Sequence, residues 1–145
     1  HASLAPSEMC IRDRITGTAG NTGTQSLAVA IRKIGLHEEE QSFWKVLVQE
    51  GTTGLGIGLI SGVVVFGIVS LWQGSVVLGG IIGFAMFASI FVAALTGTCI
   101  PFLLDKFNFD PSIASGPFIT TVNDLTTVFV YFTIVSQFIS VYLVK

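Results

Sequence analysis

One long stretch without charged residues dominates the pattern of apolar and polar positions along the chain. From Gly51 to Leu104 the sequence has no Asp, Glu, Lys, Arg or His. A membrane-spanning helix needs about 20 apolar residues, so this stretch can hold two spans. The polar group Trp72-Gln73-Gly74-Ser75 lies near its middle and predicts the break between them. We therefore predict helices over residues 43–72 and 76–104.

Further helices are predicted on either side of this stretch. Asp110 followed by Pro111 is typical of a helix N-cap and first helical position, so a helix is expected over residues 112–144, interrupted early by Gly116-Pro117. Upstream, residues 15–34 are rich in small and hydroxyl-bearing side chains, which allow membrane helices to approach closely. We interpret that segment as the end of another membrane helix.

The many glycines in the predicted spans also favour a membrane setting. Each glycine costs a helix in water roughly 1 kcal/mol, whereas in a membrane it permits tight packing. The spacing of Gly54, Gly58 and Gly62 is a weak signal for a face that packs closely on another helix. On the next span, close approach is expected at Gly79, Gly83, Ala94 and Gly97.

The composition indicates an integral membrane protein. Of 145 residues, 51% are hydrophobic and only 11% are charged, and the mean hydropathy is +0.78, outside the range of soluble globular proteins. The predicted fold is an all-α membrane bundle in a lipid bilayer, with three complete spans and the end of a fourth. The net charge of -2 gives no indication of a nucleic-acid partner. Cys10 and Cys99 form neither a disulfide framework nor a metal-binding spacing.

The first residues of the chain differ from the rest. Residues 1–14 have neither the charge order nor the cleavage site of a signal peptide, and the run from Glu8 to Arg14 resembles translated sequencing adaptor. We predict that residues 1–14 are non-native or disordered, and that residues 15–145 form the membrane domain.

The basic residues predict how the chain crosses the membrane. Arg32, Lys33 and Lys45 lie in one connection and Lys106 lies in the connection two spans later, whereas the connection at Gln73 has none. Connections rich in Lys and Arg lie on the cytoplasmic side. The prediction is a multi-pass membrane protein with these connections inside the cell; a prokaryotic plasma membrane is implied only by the family resemblance described below.

Asp124 is the only charged residue between Asp110 and Lys145. An acid at the centre of a membrane helix costs roughly 2.5 to 3.5 kcal/mol on insertion scales, so it normally faces a bundle interior or a watery path. On a helix it shares one stripe with Gly116 and Thr120, and Asn123 lies beside that stripe. The alternative is an acid that is protonated or hydrogen-bonded and serves only helix packing.

The groups on this stripe suit a particular kind of ion. Carboxylate, hydroxyl and carbonyl oxygens are ligands for hard cations such as Mg²⁺, Ca²⁺ or Na⁺. Mg²⁺ keeps several of its waters and touches one or two carboxylates, so a symmetric dimer with two copies of Asp124 would suffice. A proton relay is the competing use of such an acid, but relays usually need further titratable partners.

Catalysis has little support in the sequence, and we predict that the protein is not an enzyme. His37 lies next to Glu38, Glu39 and Glu40, and no base or nucleophile accompanies Asp124 in the apolar segments. The group from His37 to Glu40 is interpreted as a solvated charge run, with a metal site as the less favoured alternative.

Two motifs, in order and separated by two glycine-rich spans, carry a family resemblance. The first is Gly20-Asn21-Thr22-Gly23-Thr24-Gln25, followed by residues 28–32. The second runs from Asp110-Pro111 to Asn123-Asp124. Together they resemble the membrane domain of MgtE magnesium transporters, over about residues 15–145.

The resemblance implies a homodimeric Mg²⁺ channel whose pore lies on the dimer axis, lined by the second and fifth membrane helices. The pore carboxylate then falls on Asp124, and a backbone carbonyl ligand falls on Thr120. Asp110 would bind a regulatory Mg²⁺ at the cytoplasmic mouth, or act only as a helix cap. Pore-lining positions implied in this way are Gly116, Asn123, Gly20 and Asn21, and Gly116 stands where some members carry asparagine.

Several alternatives stay open at this point. The resemblance implies that cytoplasmic regulatory domains are missing from this chain, and that it keeps the end of the family's second helix. An ion-coupled secondary transporter of another divalent cation would predict an inverted repeat, which the sequence does not show. A membrane scaffold that does not transport would use the glycine-rich helices only for packing.

Overall fold

The structure, a computed structural model, describes residues 5–36, 43–114 and 116–143. Its helices are α1 (Ala5–Gly35), α2 (Phe43–Gln73), α3 (Val76–Lys106) and α4 (Gly116–Leu143), with a short 3-10 helix at Pro111–Ala114. No strand occurs in the part of the chain that the structure describes. The prediction of an all-α bundle is confirmed.

The apolar lengths of these helices fit a membrane. Phe43–Gln73, Val76–Lys106 and Pro117–Phe138 are long and apolar enough to span a bilayer. The expected bounds of α2 and α3 differ from those in the structure by only one or two residues. In contrast, α1 begins at Ala5, so it includes residues that the sequence had assigned to a non-native or disordered N-terminus. The region from His37 to Glu40 lies outside the described residues.

α2 and α3 form an antiparallel hairpin whose helices meet through glycine. A Cβ added to Gly62 would stand 2.8 Å from the carbonyl oxygen of Gly83, and one added to Gly83 would stand 2.7 Å from the carbonyl oxygen of Gly62. A Cβ on Gly54 would stand 2.7 Å from the Ala94 Cβ. These distances are below van der Waals contact, so the face predicted from the glycine spacing is confirmed as a close-packed one.

α3 is the central helix of the bundle, because it packs against α1 and α4 as well as α2. One apolar cluster joins Ile15 of α1 to Ile90 of α3 and Tyr131 of α4. A second cluster, nearer the end with the basic residues, contains Leu27 of α1 and Ile119 of α4. The order of these contacts shows that α4 runs antiparallel to α1.

Tight caps define where α3 begins and ends. Gly74 has a φ of +64°, and the next residue, Ser75, caps α3 by accepting a hydrogen bond from the Leu78 N–H. At the other end, Asn108 adopts a φ of 58°. The N–H of Phe109 donates to the Leu104 carbonyl at 2.9 Å, which matches the left-handed closing motif of helix C-termini. Both connections are therefore short and well defined.

The four basic residues on which the orientation prediction depends, Arg32, Lys33, Lys45 and Lys106, lie at one end of the bundle, whereas Arg12 and Arg14 lie toward the opposite end of α1. Lys33 near the end of α1 donates through Nζ to Gln49 Oε1 of α2 at 2.7 Å. Phe43 at the start of α2 packs edge-on against Phe102 near the end of α3, with ring centroids 5.2 Å apart. The cytoplasmic assignment of this end remains a prediction from the distribution of Lys and Arg.

We predict that Gly62→Ala destabilises the α2–α3 hairpin and that Gly67→Ala does not. The methyl group at position 62 would meet the Gly83 carbonyl, whereas nothing lies within 4 Å of a Cβ at position 67. Overpacking of this kind costs roughly 1–3 kcal/mol. Thermal unfolding of the complete gene product in detergent measures the effect. Equal melting temperatures for the two variants would contradict this packing.

Candidate ion-binding site

α4 presents different chemistry on different sides. Asn123, Thr127 and Tyr131 follow one another at helical spacing and are buried, with 0%, 1% and 7% of their surface exposed. Leu125 and Phe129 project outward and are mostly exposed. The buried side faces the bundle and the outer apolar side suits lipid. Asp124 lies between these two sides.

The Asp124 carboxylate lies at the seam between α4 and α1. It is partly buried, and its Oδ1 would be 3.3 Å from a Cβ added to Gly20. The Thr120 Cγ2, one turn earlier on α4, would be 4.0 Å from the same point. Because Gly20 has no side chain, α1 leaves room for the carboxylate at the surface of the bundle.

The exposed face of α1 beyond Gly20 also carries polar groups. Asn21 and Gln25 are exposed, although α1 packs against two membrane-spanning helices. Thr24, one turn beyond Gly20, donates its hydroxyl to the Gly20 carbonyl at 2.8 Å and contacts the Asn21 carbonyl at 2.9 Å. Its donor is thereby used within the helix, while its oxygen keeps the capacity to accept a bond from water. We call Gly20, Asn21, Thr120 and Asp124 the seam site.

Asn123 lies on the other side of the α1–α4 contact. A Cβ added to Gly23 would overlap the Asn123 amide nitrogen and stand 2.7 Å from its Cγ. Neither amide atom of Asn123 has a hydrogen-bond partner among the described residues. The side chain predicted to line a pore thus lies inside the three-helix packing, not on the surface that carries Asp124.

Asp110 belongs to a separate place, the connection between α3 and α4. Its carboxylate accepts a hydrogen bond from the Ser112 N–H at 2.9 Å, and Ile113 N–H donates to its carbonyl at 3.0 Å. Asp110 therefore caps the 3-10 helix at Pro111–Ala114, whereas α4 begins at Gly116, four residues after the predicted start at residue 112. The hydrogen bonds from Ser112 lower the pKa of Asp110 below its ordinary value, so it carries a full negative charge at neutral pH. Asp124 is well separated from this connection, because it lies eight residues, or about 12 Å of helix rise, beyond the start of α4 at Gly116.

The structure therefore brings together some of the predicted residues and separates others. Gly20, Thr120 and Asp124 meet, and Asn21, the residue after Gly20, is exposed. Asp110 stands apart, and Gly116 is the first residue of α4. Sequence reasoning did not single out Gly23 as a contact of Asn123. The helical spacing of Asn123, Thr127 and Tyr131 could have indicated that Asn123 lies on the buried side of α4, next to Asp124.

A buried acid was also missed. Glu50 directly precedes the long uncharged stretch and has only 7% of its surface exposed. It lies on the same side of α2 as the packing glycine Gly54, one turn away. Among the described residues, no three of His, Cys, Asp and Glu gather to hold a metal ion.

Comparison with known sequences identifies the family to which the chain belongs. The model of the MgtE family, described as a divalent cation transporter, matches residues 14–134. The chain belongs to the MgtE family. The resemblance carried by the two sequence motifs is confirmed.

Three relatives named as the magnesium transporter MgtE show how far the similarity extends. The protein of Enterococcus faecalis is 51% identical over 125 residues, which cover 86% of this chain. That of Bacillus subtilis is 40% identical over 128 residues, covering 86%. That of Thermus thermophilus is 32% identical over 121 residues, covering 83%. The chain spans only 27 to 28% of the length of these relatives.

Family membership bears on the class of protein. The family is described as a divalent cation transporter and the three relatives are named as magnesium transporters, a class of protein distinct from enzymes. Together with three helices that are long and apolar enough to span a bilayer, this identifies a multi-pass protein of the cell membrane.

We predict that cysteines introduced at Gly23 and Asn123 form a disulfide in a variant with Cys10 and Cys99 replaced by serine. A Cβ at position 23 stands 2.7 Å from the Asn123 Cγ, so the two Cβ atoms come within the roughly 3.5–4.5 Å that a disulfide needs. The assay oxidises the protein, cleaves it at a protease site inserted between α1 and α2, and tests whether the fragments stay linked. Pairing Asn123→Cys with Gly35→Cys, three turns away on α1, serves as the control and should not link.

Proposed function

We propose that the protein transports Mg²⁺ across the membrane and that Asp124 is the carboxylate that selects the ion. The observation that carries the proposal is the position of Asp124, partly exposed at the seam between α1 and α4 beside Gly20. The names of the related proteins from three bacteria support the choice of ion.

The surface around Asp124 is unsuited to lipid. Asn21, Gln25 and Asp124 are all at least partly exposed beside a membrane-spanning helix. Polar and charged groups at this depth face a bundle interior or water. A second copy of the chain placed against the seam would cover this surface and bring two carboxylates to a common axis. This geometry supports a homodimer with an aqueous path between its subunits.

One carboxylate per subunit suits a hydrated ion. Mg²⁺ demands octahedral geometry and gives up its waters reluctantly, so a protein commonly holds it through one or two carboxylates and several waters. In the proposed pathway, Asp124 attracts the ion and its waters, and the Thr120 carbonyl accepts bonds from those waters. Passage requires binding strong enough to admit the ion and weak enough to release it.

Asp110 has a different role in this proposal. It is exposed, ionised and located at the end of the bundle with the basic residues. A carboxylate at the mouth of a cation path raises the local concentration of cations. We propose that Asp110 contributes to a regulatory Mg²⁺ site at the cytoplasmic entrance, together with cytoplasmic domains of the complete protein.

We predict that Asp124→Asn abolishes Mg²⁺ uptake by the complete gene product, whereas Asp124→Glu retains part of it. The amide removes the negative charge that attracts the cation, while glutamate keeps the charge and displaces it by one methylene. Uptake is measured with a Mg²⁺-sensitive dye inside proteoliposomes. Asp105→Asn is the matched control, because it makes the same chemical change at an exposed position outside the seam.

The same assay separates the competing functions. Normal uptake by Asp124→Asn would reject Asp124 as the selecting group. If the protein is a scaffold that does not transport, the unsubstituted protein will show no Mg²⁺ flux. The Asp124→Leu variant of such a scaffold will assemble as the unsubstituted protein does. Flux driven by a Mg²⁺ gradient alone supports channel-like conduction, whereas a strict need for a second ion gradient would favour a coupled transporter.

A further inference from the structure

Asn123 is the polar residue in the bundle whose position is hardest to explain by packing alone. Its side chain is fully buried at 0% exposure. Neither the amide nitrogen nor the amide oxygen has a hydrogen-bond partner among the described residues. A buried polar group without a partner destabilises a fold, and an apolar residue would avoid that penalty. The asparagine at this position is therefore better explained by a functional requirement than by the stability of the fold.

The contacts of Asn123 place it at the point where three helices come closest. Its amide lies against Gly23 of α1, at the place where any other residue would have its Cβ. A Cβ added to Gly97 of α3 would overlap the Gly23 carbonyl oxygen and stand 3.1 Å from its Cα. Gly23 is therefore in close contact with both Gly97 and Asn123. We call these residues the glycine clamp.

The helical hydrogen bonding of α3 is interrupted beside the glycine clamp. Pro101 lies inside α3, four residues after Gly97. Because proline has no N–H, the Gly97 carbonyl lacks its usual helical donor. α3 therefore lacks one helical hydrogen bond at Gly97, the residue that contacts Gly23 of α1.

The clamp adjoins the seam site in two ways. Asn123 immediately precedes Asp124, and successive residues of a helix point about 100° apart. Gly23 and Gly20 lie three residues apart on α1, so they share one face. A rotation of α4 that moved Asn123 away from Gly23 would also move the Asp124 carboxylate relative to Gly20.

We propose that Asn123 is a positioning residue, whose branched side chain wedged against Gly23 sets the rotation of α4 and so the place where Asp124 meets the ion. This inference rests on the proposed role of Asp124 in Mg²⁺ transport. It differs from the pore-lining role expected from the sequence, because Asn123 acts through shape and does not contact the ion or its waters.

The test measures the Mg²⁺ concentration that gives half-maximal flux, and the ratio of Mg²⁺ to Ca²⁺ flux, in proteoliposomes that contain the complete gene product. Asn123→Ala removes the wedge and is expected to raise the half-saturating concentration about tenfold, the lower end of the effect seen when groups that orient metal ligands are lost. The flux ratio is expected to fall. Thr127→Ala is the matched control, since Thr127 is also buried and its hydroxyl also lacks a partner among the described residues. Its half-saturating concentration should stay within about twofold of the unsubstituted protein, because Thr127 is not among the atoms nearest to a Cβ at Gly23 or Gly97.

Three further variants distinguish shape from polar chemistry. Asn123→Leu keeps the branched shape without the amide and should keep the half-saturating concentration near that of the unsubstituted protein. Gly23→Ala alone should weaken Mg²⁺ binding, because its methyl group collides with the amide. In the double variant Gly23→Ala with Asn123→Ala, the methyl group enters the vacated space, and the half-saturating concentration should recover relative to either single change. Fluxes are normalised to the amount of assembled protein recovered by size-exclusion chromatography.

The outcomes separate this inference from the proposal on which it rests. Normal flux in Asp124→Asn would reject the role of Asp124 itself. If Asp124→Asn is silent but Asn123→Ala and Thr127→Ala shift the half-saturating concentration equally, Asn123 is only part of the core and the inference is overturned. A loss in Asn123→Leu as large as that in Asn123→Ala would also overturn it, because the amide and not the shape would then matter. If Asn123→Ala does not assemble, Asn123→Leu and the double variant still decide between these outcomes.

Discussion

The bundle depends on close contact between helix backbones at glycine. In a membrane, burying apolar side chains against one another gives little advantage over leaving them in lipid, so association depends on packing and polar contacts. Gly62 and Gly83 bring α2 against α3, and Gly23 and Gly97 bring α1 against α3. At each contact a single methyl group would collide with the facing backbone. α3 takes part in both contacts and thereby fixes the positions of its neighbours.

This packing explains how one charged side chain can exist within a mostly apolar helix. Close approach of α1 to α4 leaves a narrow seam, where Gly20 makes room for the Asp124 carboxylate. Of the other sides of α4, one is buried against the bundle and another carries large exposed apolar side chains such as Phe129. The charge is thus located at the contact with α1, a helix that also exposes Asn21 and Gln25. A group that would be costly against lipid is placed where water or a second subunit can meet it.

The sequence predicted the helices well and the orientation of individual side chains less well. The length of the uncharged stretch located α2 and α3, and the cap at Ser75 lies at the expected boundary. Asp110 caps a short 3-10 helix, and α4 begins a few residues later than expected. Gly97 was recognised as a point of close approach, but its partner Gly23 is distant in the chain and no local pattern pairs them. Asn123 and Asp124 are adjacent polar residues, so periodicity alone did not show which would point inward. That choice depends on the contact with Gly23, which is a tertiary interaction.

The central position of α3 also bears on how such a bundle assembles. α2 and α3 are joined by the short turn at Gly74, and their packing glycines face one another along the hairpin. α2 has few contacts with α1. The two most apolar helices can therefore enter the bilayer as a pair that is already correctly packed. α1, whose outer face is polar, packs mainly against α3 and α4, so the seam that carries Asp124 exists only when all three of these helices are together.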